Sequence, residues 1–533
     1  MKIAHFGTFD VENYGDLLFP LLLERRLGGE EVEFVHVSPV GGAPDLKDCK
    51  PAIGFEEALA GCESWDAIVF GGGALGHGES AGDLEIYRDP AIHTIAYPGL
   101  WLLPAFIAHL RGIPLVWNAP GIPGNFSEER KRQLLQWACW QADYLSVRDV
   151  QSATVLAESL VEAKVVPDTA VEVSNLWSDR ELRTEIARLE RREEWPQNRY
   201  LALHLTQRYA DADLVALAEK IKQICGSRGA VALLIAIGGC HDDEGIARRI
   251  LEHLQGHQAN IFVPDSLRSV AAAIRFSDGY VGSSLHGAIT AYSLARPFLI
   301  VAPEGDSKFA GFLAHVGTQD RQVATWAAAV EVVGHWPPSK QQTEIASGQN
   351  KSVMEALEQH WATLSARLTM RRPASSLAGA QLLETVSQMP PEWFPLIPML
   401  ERSPLFAQVI EKYREPWNSV RRQLQNSAFV AAAAYRRLDL RHQKLISDVS
   451  NLQAKLSEQR KTIEKLGGQI QKQREQANAL QKAIERRDRQ IASDAEDRWR
   501  KDLAKLGKWS DRLLQDYQRL LKSNRWRMGC WLS

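Results

Sequence analysis

The feature that most constrains this chain is a rhythm that runs through its first three hundred residues and restarts once. Apolar runs at 3–6, 32–37, 67–70, 114–118 and 144–147 read as strands, and stretches at 16–27, 100–111, 127–140 and 150–160 as amphipathic helices between them. After a polar segment over 178–197 the pattern begins again. Strands are expected at 200–205, 231–237, 261–263, 279–281 and 298–301, with helices at 213–225, 244–254, 266–275 and 288–294. Strands alternating with helices build a parallel sheet covered on both faces. Two such runs predict an α/β chain with two Rossmann-like domains, 1–177 and 198–333, facing a cleft at the strand C-termini.

Composition narrows the function classes. The formal net charge is -2, which argues against a nucleic-acid partner. Six cysteines, Cys49, Cys62, Cys139, Cys225, Cys240 and Cys530, form no C-x-x-C pair, so no metal site and no disulfide scaffold is expected. The first residues lack a signal peptide's apolar core, and the apolar run 230–237 is too short to span a bilayer. The expectation is a cytoplasmic protein.

The remainder is helical in character. Residues 334–436 are broken by Pro373, Pro390, Pro391, Pro395, Pro398 and Pro404 and read as a helical appendage without catalytic chemistry. Over 437–495 a heptad pattern appears. One row is Val449, Leu456, Ile463, Ile470, Ala477, Ile484 and Ile491; the other is Leu445, Leu452, Gln459, Leu466, Gln473, Leu480 and Arg487. β-branched residues in the first row and Leu in the second predict a long parallel coiled coil and a homodimer; a single solvated helix is the other reading. The tail, 496–533, carries Leu503, Leu506, Trp509, Leu513, Leu514 and Tyr517 at helical spacing among Arg512, Arg519, Lys522, Arg525 and Arg527. A basic amphipathic helix fits peripheral contact with the inner membrane face, or docking on protein.

Four local features could carry chemistry. The loop 7–16, G-T-F-D-V-E-N-Y-G-D, feeds a helix N-terminus, where free N–H groups suit an anion or a sugar. It places Asn13, Gly15 and Asp16 at the cleft, although Asn13 or Asp16 can equally cap the helix. Gly71-Gly72-Gly73 follows a strand and permits close backbone approach, by a ligand or in a tight turn. Arg148, in S-V-R-D at a strand end, offers a planar fork for a carboxylate or phosphate, or a surface pair with Asp149. Finally S-S-L-H-G puts Ser284 and His286 where a strand turns into a helix, and Lys308 follows one strand later. A histidine there can move protons near neutral pH or serve as a hydrogen-bonded structural residue.

In their order, N-Y-G-D, G-G-G, S-V-R-D, P-D, then S-S-L-H-G-A-I and a downstream lysine, these motifs resemble the polysaccharide pyruvyltransferase family over about residues 1–315. The resemblance implies a glycosyltransferase-B-like fold and transfer of a pyruvyl ketal from phosphoenolpyruvate to a sugar of an exopolysaccharide, capsule or lipid-linked glycan. It implies no cofactor beyond that donor substrate. It makes His286 the general acid and Arg148 and Lys308 the anion holders, with Ser284, Gly72 and Gly73 also at the donor and Asn13, Gly15 and Asp16 at the acceptor side of the cleft. Some members carry an arginine two residues before the histidine. Here that position is Ser284, so the donor-binding arginine is either missing or replaced by Arg148 or Arg208. Two other functions fit the architecture: a nucleotide-sugar glycosyltransferase, with Asp265 as the ribose carboxylate, and a non-catalytic coiled-coil scaffold. His241-Asp242-Asp243-Glu244 has metal-ligand residue types but reads as a helix start.

Overall fold

A computed structural model describes the chain except residues 82–83, 125, 193–194, 209, 211–212, 255–258, 304, 337–350, 372–376, 430–443, 445–454, 456–458, 460–464, 481, 483–495 and 530–533. It divides into two compact units, Met1–Ala431 and Ala432–Ser533.

The first half of the larger unit is a parallel sheet of β1 (Lys2–Phe6), β2 (Glu33–Val37), β3 (Ala67–Gly71), β4 (Leu115–Asn118), β5 (Tyr144–Val147) and β6 (Lys164–Val165), in the order β2-β1-β3-β4-β5-β6. Helices α1 (Tyr14–Leu27), α2 (Phe55–Gly61), α3 (Ala96–Arg111), α4 (Glu129–Trp140) and α5 (Val150–Glu158) lie between the strands in sequence. After α6 (Asp179–Leu189) comes the second sheet: β7 (Tyr200–His204), β8 (Val231–Ile235), β9 (Ala259–Phe262), β10 (Tyr280–Gly282), β11 (Phe298–Val301) and β12 (Gln322–Val323). Its order is β12-β11-β10-β7-β8-β9. Helices α7 (Leu214–Arg228), α8 (Asp243–His253), α9 (Leu267–Arg275), α10 (Leu285–Ser293), α11 (Ser307–Val316) and α12 (Trp326–Gly334) complete it. The strands are near-continuous apolar runs because both faces are covered; all five residues of β3 and all five of β8 are buried.

Strand order reverses between β1 and β3 in one sheet and between β7 and β10 in the other. Chains leave these neighbours in opposite directions, which opens a crevice above their carboxyl ends. The loop 7–13, the Gly71–Gly73 turn and the start of α10 all lie at these two points, so topology alone brings three of the four motifs to crevices.

Local chemistry moves some boundaries. Asn13 accepts from Gly15 N and starts α1 two residues earlier than the apolar spacing indicates. Ser284 likewise accepts from Gly287 N at 3.3 Å, so α10 begins at Leu285 and His286 sits in its first turn. The polar segment after residue 177 is largely helix α6, opened by a capping box of Ser178 and Glu181.

The segment beyond residue 334 is built into the first half and does not hang from it. Helix Lys351–Leu368 packs on β4 and β5, where His360, fully buried, bonds Asn118 Oδ1 (2.8 Å) and the Tyr144 hydroxyl (2.9 Å). On the opposite sheet face, helix Ala378–Ser387 and the chain to Leu424 add Leu382, Trp393, Leu396 and Phe406 to the core around α2 and α3. The prolines end these short helices without keeping them off the sheet.

Burial also sets an acid limit on stability. It lowers His5 well below the usual histidine range, and lowers His77 and His286 to about 4 and His360 to about 3. Unfolding exposes these rings, so below about pH 6.5 the unfolded chain binds protons that the folded chain refuses. Stability present above that pH is lost as pH falls toward the folded values. The melting temperature is expected to drop between pH 7.5 and pH 5, less steeply in His360→Gln; a flat profile would contradict neutral burial of these rings.

In the smaller unit, residues 465–480 are helical, and Glu496–Gly529 is one continuous helix. Of the two heptad rows, Gln459, Leu466, Ile470, Gln473, Ala477 and Leu480 fall on described residues, and none of these is buried in a single copy of the chain. Leu445, Val449, Leu452, Leu456, Ile463, Ile484, Arg487 and Ile491 lie outside the described residues. In the tail helix Leu506 and Trp509 are exposed, at 40% and 50%. Among the described residues no helix is long and apolar enough to cross a membrane.

Candidate active site

The two halves meet through α1. Tyr14 N donates to Ile237 O (2.9 Å), Asn13 bridges Gly238, and the Tyr14 hydroxyl bonds Thr290 Oγ1 at 3.0 Å. This clamp lays His286 of α10 directly on the first turn of α1. A Cβ on Gly15 would fall 1.9 Å from His286 Nδ1, so only glycine leaves room for the ring there. Phe19 meets the same imidazole edge-on, with ring centroids 5.7 Å apart.

Around His286 stand groups drawn from five segments. Arg148, at the end of β5, is buried and lies on Gly121; its Nη1 donates to Asp168 Oδ2 at 3.3 Å, and its Nε is 3.6 Å from Asp149 Oδ2. Asp168 caps the 3-10 turn Thr169–Asn175 through Ala170 N, which fixes its carboxylate, and it lies 3.9 Å from His286 Nε2. From the second half, His315 bonds the Arg148 carbonyl (3.1 Å), so α11 holds the arginine's backbone while carrying Lys308 in its first turn. Lys308 remains open to solvent although protein surrounds its ammonium on several sides, as befits a group in a cleft.

The electrostatics of these groups are coupled. Burial lowers His286 to about 4; Asp168 opposes the shift, while Arg148 and Lys308 add to it. Burial raises Asp16 to about 7 against the pull of Lys308, Arg148 and a hydrogen bond from Thr8. Lys308 is itself lowered, by desolvation first and then by Arg148. Two cations held near each other, with a neutral histidine in their field, make a site that gains from an anion.

The structure thus brings together Gly15, Asp16, Arg148, His286 and Lys308. Asn13 and Ser284 cap α1 and α10 through their side-chain oxygens. Gly72 and Gly73 have φ of 86° and 87°, and what approaches them is α1 itself, since a Cβ would strike Phe19 at one and Asp16 Oδ1, 2.5 Å away, at the other. Asp168 entered the motif order only as its P-D step and was given no role there. Arg208 lies on the loop after β7. Asp265 forms an ion-pair cluster with Lys47, Arg188 and Arg192. Asp243 pairs with buried His204 at 2.8 Å, and among the described residues no His, Cys, Asp and Glu group could hold a metal.

No curated protein matches the chain. Solved structures similar to it include UDP-GlcNAc 2-epimerase from Neisseria meningitidis, at 12% identity over 73% of this chain and 100% of that one, TM-score 0.38. The enzyme of the same name from Methanocaldococcus jannaschii shares 14% identity over 65% and 99%, TM-score 0.41. The E. coli ADP-heptose lps heptosyltransferase II shares 10% over 62% and 98%, TM-score 0.34. At scores this low the likeness carries no inference about chemistry. The profile of the polysaccharide pyruvyl transferases, by contrast, matches residues 13–305, from the cap of α1 to the loop before Lys308. That match covers more than half of the chain and most of the cleft, and the chain belongs to the polysaccharide pyruvyl transferase family.

Proposed function

We propose that this protein transfers the pyruvyl group of phosphoenolpyruvate onto two hydroxyls of one sugar in an exopolysaccharide, capsule or lipid-linked glycan, releasing phosphate and leaving a cyclic ketal. The observation that carries this reading is the convergence of Arg148 and Lys308 beside His286. The donor has a carboxylate and a phosphate, and two fixed cations suit both.

In the free enzyme His286 is neutral above about pH 4, while below about pH 7 a proton resides on Asp16, the chain neighbour of the Gly15 on which the ring lies. Donor anions would neutralise Arg148 and Lys308, raise the proton affinity of the imidazole and draw that proton onto it. His286 then protonates C3 of the donor. One sugar hydroxyl adds to C2 and gives its proton to the Asp16 carboxylate. The second hydroxyl displaces phosphate from C2, its proton leaving with the phosphate, and the enzyme is left with its proton on Asp16, as it began.

The active free enzyme therefore carries one proton. It is lost from Asp16 as pH rises through about 7, so kcat/KM for the donor is expected to fall about tenfold per pH unit above that point. A profile that is flat or rising from pH 6.5 to 8.5 would reject the proton assignment. The reaction itself is tested by phosphate release from phosphoenolpyruvate that depends on added glycan.

We also propose that 437–495 pairs with a second copy as a parallel coiled coil, and that the tail helix lies on an anionic membrane face. The exposed Leu506 and Trp509 support an apolar partner for the tail. A chain ending at Ala431 keeps the helices that complete the first sheet. It should be monomeric by light scattering and should lose any sedimentation with anionic vesicles; a dimer would place the main contact elsewhere.

A further inference from the structure

At the C-terminal ends of α3 and α4, helix Ala378–Ser387 forms one wall of an open cavity of about 570 Å³. These helices run against the parallel strands, so the cavity lies at the end of the sheet away from the catalytic cleft. Its volume is that of an ordinary ligand site.

Indoles and side-chain amides dominate the lining. Trp140 ends α4 with its indole 61% exposed, an unusual position for so large an apolar surface. Trp137, one turn earlier, is held by Phe106 and by His109, ring centroids 5.4 and 5.3 Å away. Amides of Gln133, Gln141, Gln381 and Gln388 stand around the two indoles, each able to donate and accept. Among the described residues no lysine or arginine lines the cavity, and Glu384 is its one formal charge. Gln141 Nε2 donates to the Trp137 carbonyl, so its Oε1 accepts from His109 Nδ1 (2.9 Å). His109 Nε2 is itself buried, with no partner among the described residues. Flat indole faces and neutral amides suit a ligand with C–H faces and hydroxyl edges and no charge.

We propose that this cavity binds a neutral stretch of glycan and gives a polymeric acceptor a second attachment, several sugar rings from the reacting one. The polymer is taken from the function proposed above. Two-point attachment raises the effective concentration of acceptor at the cleft without touching the chemistry.

The test uses the full chain in affinity electrophoresis through gels holding dextran, laminarin or galactomannan. Retardation by at least one of these polymers is expected, at least tenfold weaker in Trp140→Ala and in Gln381→Ala, and unchanged in His286→Ala. No retardation by any of the three, or retardation that Trp140→Ala keeps, would overturn the proposal; loss in His286→Ala would move the binding to the cleft. Polymer binding without any phosphate release from phosphoenolpyruvate would defeat the transfer reaction and leave this site standing.

Discussion

Replacing His286 with alanine is expected to lower kcat by about 10²–10⁴-fold while leaving phosphoenolpyruvate binding within a few-fold of wild type. The asymmetry follows from geometry. The imidazole lies on Gly15 with no hydrogen bond to Nε2 among the described residues, and it is neutral at rest, so it contributes little to holding an anion. Its work comes once the donor has offset Arg148 and Lys308. Calorimetry of donor binding beside single-turnover phosphate release separates the two effects. Activity within tenfold of wild type would mean that the proton reaches C3 from Asp16 directly. Gly15→Ala tests the same contact from the other side: its methyl occupies the ring's position, so it should impair turnover without removing any catalytic group.

Asp168→Ala is expected to cost about 3 kcal/mol of stability, because it takes from the buried Arg148 charge the nearer of its two carboxylates and leaves only Asp149. The lost cap at Ala170 N adds to that. Asp168→Asn retains a cap acceptor and removes the charge, so its urea midpoint should fall between those of wild type and alanine. Phosphate should partly restore the alanine variant by pairing with the freed guanidinium, a response that damage to the fold alone would not produce. A midpoint shift worth under about 1 kcal/mol would show that Asp149 and water, rather than Asp168, balance Arg148.

Both predictions turn on pairings that no local pattern announces. The strand before Gly71 is legible because its residues are apolar on both faces, and α1 is legible from its spacing. Their boundaries slipped by a few residues where a side-chain cap, Asn13 or Ser284, outweighed the apolar pattern. Asp168 stayed hidden because its partner Arg148 is twenty residues away and a P-D step by itself describes a turn. The proline-broken segment was misleading for a related reason. Proline reports where a helix stops; it says nothing about what the helix packs against, and Trp361, Trp393 and Phe406 prove to be core.

The two parallel sheets, the crevices at their strand ends and the motif order of a pyruvyl transferase were all legible in the chain before it folded. Each depends on residues close in sequence, where periodicity, turn chemistry and capping act. Which side chains share the cleft was settled by folding in three dimensions. Closing one half on the other through Tyr14 and Thr290, 276 positions apart, places His286 over Gly15 and sets Asp16 among two cations. Burial and the field of those charges, which exist only after the halves meet, then determine where the proton rests.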